Sequence, residues 1–117
     1  MARQADRRPI DPERVVQARA RLPGSQLFPV LQRLQKAVCD DARARIIAAL
    51  RAGPLAVDDI ALVIGREPPA TSQHLRILRD LGVVEGERRG SRVYYRLRPG
   101  RPTDQAVRVL TELERDA

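Results

Sequence analysis

Aromatic side chains are nearly absent: two tyrosines, one phenylalanine and no tryptophan in 117 residues. The core must therefore be aliphatic, and the aromatic platforms that usually hold single-stranded nucleic acid are missing. Cysteine occurs once, at Cys39, so no disulfide can form within the chain. Histidine also occurs once, at His74, which leaves no His/Cys cluster with metal-ligand spacing and no Ser-His-Asp set. A Gly-rich phosphate loop is absent too, so the residues do not assemble an enzyme's acid, base and nucleophile, and no cofactor is expected. No apolar run reaches the roughly 18–20 residues that span a bilayer. The N-terminal MARQADRRPIDPER is polar and unlike a signal peptide. A cytoplasmic chain with no membrane partner is expected.

Basic charge is abundant and unevenly placed. The formal net charge is +7, carried by 21 arginines and a single lysine. Residues 66–101 hold nine arginines against four acids, a net of +5, whereas residues 102–117 are net −2. A codon-biased genome explains the preference for arginine over lysine but not this clustering, for which a polyanionic partner is the simplest cause. The length fits one domain, with 1–10 as a flexible N-terminal arm and 11–117 as the folded part. A domain this small buries only about two thirds of its unfolded surface, so association with a second copy would help it.

Helix signals recur along the chain. Asp11-Pro12-Glu13 combines a cap, a first-turn proline and a first-turn acid, and the helix it starts runs to about Leu22 before Pro23-Gly24. Ser25 is the next cap, followed by Leu27, Val30, Leu31, Leu34 and Val38 at helical spacing. Asp40 or Asp41 caps a third helix that ends at Gly53-Pro54, and a short one spans about Val57 to Ile64. The turn Gly65-Arg66-Glu67-Pro68 leads to a helix over 69–81, with Gly82 as its left-handed exit. Strands follow at about 83–87 and 92–97. After the linker Pro99–Pro102, Thr103 caps a last helix with Ala106, Val107, Leu110 and Leu113 on one face.

The segment 70–97 carries the function. In the helix 69–81, Thr71, Leu75, Leu78 and Leu81 face inward, while Pro69, Ser72, Gln73 and Arg76 share the opposite surface, flanked by Arg79 and Asp80. Glutamine pairs with adenine, arginine with guanine, and serine with either, so this face suits base edges. The short helix before it completes a helix-turn-helix. The hairpin that follows alternates Val84, Val93, Tyr95 and Leu97 with polar neighbours and gathers Arg88, Arg89 and Arg92 at its tip. Tip arginines suit phosphate oxygens or a minor groove, and Tyr94 either bonds a phosphate or covers the core. A polar helix face followed by an Arg-rich hairpin is the layout of a winged helix, which points to double-stranded DNA. A winged helix used for protein–protein interaction is the rival, and it would carry a weakly charged wing or an apolar helix face.

Three further features have local explanations. His74 neighbours Ile77, Leu78 and Leu81, which suits a partly buried, hydrogen-bonded ring better than a metal ligand. Asp58-Asp59 suits the positive end of its helix, with metal binding as the alternative. Cys39 reads as a small buried filler; a thiol switch or a bridge to Cys39 of another subunit is the alternative.

From Leu31 to Leu97 the chain resembles the ArsR/SmtB family of bacterial winged-helix repressors. The resemblance rests on Ala37-Val38-Cys39-Asp40-Asp41-Ala42-Arg43, Leu55-Ala56-Val57-Asp58-Asp59-Ile60-Ala61, Ser72-Gln73-His74-Leu75, Leu81-Gly82-Val83-Val84 and Arg89-Gly90-Ser91-Arg92-Val93-Tyr94-Tyr95-Arg96-Leu97. It implies a homodimer that binds a two-fold symmetric operator and represses a nearby gene. The terminal helices, at about 11–38 and 103–115, sit where the family keeps its dimer interface. That assigns Leu27, Val30, Leu31, Leu34, Ala106, Val107, Leu110 and Leu113 to the interface. The family's base-reading positions fall on Pro68, Pro69, Ala70, Ser72, Gln73 and Arg76, the first three departing from its usual small polar residues. Its sensing motifs depart further: Cys-Val-Cys is here Ala56-Val57-Asp58, and the last helix keeps Asp104 but has Ala106 at the first His position. Both familiar metal sites lack ligands, and the residues specify no inducer. The expected architecture is mainly α with a small β-hairpin.

Overall fold

Asp11 accepts the amide of Arg14 at 3.0 Å, and with Pro12 at the first helical position it starts α1 (Pro12–Ala20). The computed structural model describes residues 7–116, so the first six residues of the expected arm lie outside it. Helix α1 buries no residue against the rest of the chain. Helix α2 (Leu27–Val38) follows, but Ser25 does not cap it. Gln26 takes that position with helical dihedrals and no side-chain bond, and the Leu27 amide closes a turn onto the Gly24 carbonyl. Asp40 caps α3 (Asp41–Leu50) through the Arg43 amide at 3.0 Å, which lets Ala42, Ile46, Ile47 and Leu50 face the core.

Next come β1 (Leu55–Ala56), α4 (Val57–Ile64) and α5 (Pro68–Asp80), then β2 (Val84–Arg89), β3 (Arg92–Leu97) and α6 (Arg101–Asp116). Two strands are legible in the sequence; the antiparallel sheet has three, in the order β1-β3-β2. Strand β1 is two residues long, too short for alternation to register, and it forms only because Leu55 and Ala56 meet Tyr95 and Tyr94. In β2 a side chain at Gly86 would press on the Tyr95 ring at 3.2 Å, so glycine there lets that ring lie across the strand.

The centre is aliphatic. Ile46, Ile47, Ile60, Ile64, Leu75, Leu78, Val83 and Val84 are buried, drawn from α3, α4, α5 and the hairpin. Helix α6 begins two residues earlier than its sequence suggests. Thr103 is not its cap; the side chain is buried, and its hydroxyl donates among the carbonyls of Arg98, Val83 and Gly82. The preceding Gly100, at φ +148°, turns the chain, and the Asp104 amide bonds the Gly100 carbonyl, which starts the helix without a side-chain cap at Thr103.

Candidate nucleic-acid interface

Two helices and the turn between them set the geometry. Gly65 closes α4 in the left-handed region at φ +67°, and the Arg66 amide reaches back to the Ala61 carbonyl at 3.0 Å. Arg45 of α3 then donates to the Ile64 carbonyl at 2.8 Å and to that of Val63 at 3.3 Å, holding the end of α4 against α3. After the three-residue turn, α5 buries Thr71, Leu75 and Leu78. The Thr71 hydroxyl bonds the Glu67 carbonyl at 3.0 Å, which accounts for a polar side chain on the inner face. Pro69, Ser72, Gln73, Arg76 and Arg79 are all exposed on the outer one.

The hairpin projects beside α5. Its two-residue turn places Gly90 at φ +65°, the conformation that glycine takes most readily at the first turn position. Arg88, Arg89 and Arg92 are exposed. The Arg89 guanidinium lies 4.7 Å over the Tyr94 ring and 3.3 Å from the Glu87 carboxylate. Tyr94 is half-buried beneath it. Arg96 is engaged by Glu85 at 2.7 Å, and Arg92 lies 3.8 Å from Asp58 at the start of α4. Among the described residues, Arg76 and Arg88 have no carboxylate partner. Pro69 and Ser72 of α5 line one cleft with Ser91, Arg92 and Val93 of the hairpin and with Val57 and Asp58 of α4. Arg79 is not part of this cleft: it sits about 15 Å along the axis from Pro69, beside Asp80 at 3.6 Å.

His74 is half-buried, and its Nδ1 lies 3.3 Å from Arg43 Nη1 and 3.9 Å from Asp40 Oδ1. Arg43 also donates through Nε to the Lys36 carbonyl at 2.8 Å, so one guanidinium joins the end of α2, the start of α3 and the middle of α5. In the sequence Arg43 stands out only as the end of the motif that begins at Ala37, and Arg45 not at all; the signal available is two arginines in a helix that after Asp41 is otherwise alanine, isoleucine and leucine. Among the described residues no group of three His, Cys, Asp or Glu side chains could hold a metal ion. Cys39 is exposed, not a buried filler. It occupies the C-cap of α2, after Ala37 has taken the inward position.

The residues assigned to a dimer interface divide into two groups. Leu27, Leu31 and Leu113 are exposed, as is Phe28, the sole phenylalanine. Val30 is partly covered, and Leu34, Val107 and Leu110 are partly buried against the protomer's own core. Ala106 departs from that assignment: it is 0% exposed because α6 packs its small side chain into the core, so it offers a partner no surface.

Helix-turn-helix and hairpin together define a winged helix-turn-helix protein. The model for bacterial regulatory proteins of the arsR family matches residues 40–86. The chain is 33% identical over 89 residues to the arsenical resistance operon repressor of Escherichia coli K12, covering 75% of this chain and 74% of that one. It therefore belongs to the ArsR family. It is also 45% identical over 62 residues to the HTH-type transcriptional regulator NmtR of Mycobacterium tuberculosis, covering 53% of this chain and 52% of NmtR. The chain thus spans only about half the length of some curated relatives, 52% for NmtR. Among solved structures it is similar to a homodimeric winged helix-turn-helix DNA-binding domain from Mycobacterium bovis. The TM-score is 0.65 at 28% identity, covering 79% of this chain and 82% of that one.

Proposed function

We propose that this chain is a sequence-specific, double-stranded DNA-binding transcriptional regulator that acts as a homodimeric repressor in the cytoplasm, without enzymatic activity. One observation carries the reading. The exposed polar face of α5 and the arginine-bearing hairpin border a single cleft, in which Pro69 and Ser72 meet Ser91 and Arg92. In this reading Ser72, Gln73 and Arg76 address base edges in the major groove, and Arg88, Arg89, Arg92 and Tyr94 hold the backbone beside it. Arg79 adds a phosphate contact at the far end of the helix. The exposed Arg88, Arg89 and Arg92 disfavour the protein-interaction alternative, which would carry a weakly charged wing.

The folded part is residues 11–117, with 1–10 as an arm. Dimerisation joins α1, α2 and α6 of two copies, which would cover Leu27, Leu31 and Leu113. Among the described residues no helix is long and apolar enough to cross a membrane. Selection of duplexes from a random pool tests the whole reading. The expected winner is palindromic, with half-sites roughly 10 base pairs apart or a multiple of that. A pool with no enriched motif would refute it.

A further inference from the structure

The first turn of α5 is built unlike a phosphate-binding helix start. A helix ordinarily presents about four free amides there, and these attract anions. Here the first two positions are Pro68 and Pro69, which have no N–H, so of the first three helical residues Ala70 alone has an amide to offer before Thr71 begins the regular bonding to the Glu67 carbonyl at 3.0 Å. Glu67 stands at the N-cap, exposed and making no capping bond, so its carboxylate repels any phosphate placed there. What the turn does present is hydrocarbon: Pro68, Pro69 and Ala70 are all exposed. Val57 and Val93 extend that surface into the adjoining cleft.

Within the major groove, only one base feature is apolar, the C5 methyl of thymine. We propose that Pro68, Pro69 and Ala70 read a thymine methyl in each half-site, making this turn a determinant of operator sequence rather than a backbone anchor. The proposal rests on α5 being the base-reading helix. It explains why residues without side-chain donors stand at the end of the helix that meets base edges first in this fold.

The test takes the operator recovered by duplex selection and replaces its thymines one at a time by deoxyuridine, which removes only the methyl. Wild-type binding should weaken about fourfold at one symmetry-related position per half-site, the value for burying a single methyl-sized group. With Pro69→Ser, and separately with Ala70→Ser, the same replacement should weaken binding by clearly less than about fourfold, because each variant removes part of the hydrocarbon that covers the methyl. Thermal melting checks that each variant is folded, and either variant alone suffices. A protein that binds its operator specifically yet is indifferent to deoxyuridine at every position overturns the methyl reading and leaves DNA binding standing. An operator without thymine in its half-sites does the same. Absence of any specific operator overturns both.

Discussion

The Arg43 guanidinium lies 3.3 Å from Nδ1 of His74, on the side of the ring that faces α3. A guanidinium only donates, so Nδ1 must accept, and the neutral ring carries its proton on Nε2. Nitrogen-15 spectra of the free protein should show the Nε2–H tautomer for the neutral His74 ring. A dominant Nδ1–H form would mean that Arg43 does not orient the reading helix this way.

Asp40 links acid to stability. The hydrogen bond from the Arg43 amide, with help from the nearby charges of Arg43 and His74, holds its carboxyl below the usual 3.8 against the opposing effect of burial. A lowered folded-state value stabilises the fold above 3.8, and that contribution is lost as the pH falls through the lowered value. Asp40→Ala should therefore cost about 1 kcal/mol near neutral pH. The gap from wild type in urea melts should narrow in strong acid. An equal gap at both pH values would show that the charge on Asp40 is irrelevant.

The hairpin arginines should not be equivalent. Arg88 has no carboxylate partner among the described residues, while Arg96 is held by Glu85 at 2.7 Å. If Arg88 of each subunit neutralises one phosphate, Arg88→Ala should reduce the slope of log affinity against log salt by about 1.8 for the dimer. Arg96→Ala should change that slope much less. Equal slopes for both variants and wild type would remove the wing from the backbone contacts.

Position along α5 should separate base from backbone contacts. Arg76→Ala is expected to weaken operator binding by about 1–3 kcal/mol per half-site and to relax preference at one base pair in each. Arg79→Ala, next to Asp80 at the far end, should weaken all duplexes alike. Competition gel shifts with operator and scrambled DNA distinguish the two patterns, and Arg76→Ala binding indistinguishable from wild type would count against the helix as reader.

Leu31 and Leu113 are exposed apolar side chains on α2 and α6. Charging both, as Leu31→Glu with Leu113→Glu, should shift sedimentation from dimer to monomer while leaving the helical content intact. Neither side chain belongs to the buried core, so the protomer should still fold. A variant that still sediments as a dimer would place the interface elsewhere.

Most elements were legible because their signals are local. Asp11-Pro12 and Asp40 start helices through bonds to amides three residues ahead. Gly65 and Gly82 end helices through their own positive φ. The apolar spacing of Ile60, Ile64, Leu75 and Leu78 marks the inward faces without knowledge of what they pack against. Ser25 and Thr103 show the limit of such signals. A hydroxyl in capping position goes to whatever acceptors the fold brings near, and for Thr103 these are the carbonyls of Arg98 and Val83 at the base of the hairpin.

The order of helices and hairpin, the clustering of arginine and the polar flank of α5 are properties of neighbouring residues, and the chain specified them on its own. Folding decided the rest. Strand β1 exists because residue 55 meets residue 95. Arg45 and Arg43 became clamps because α4 and α5 came to lie against α3. Cys39 and Ala106 exchanged their expected exposure because burial is set by the elements that cover a side chain, and those elements lie far away in the chain.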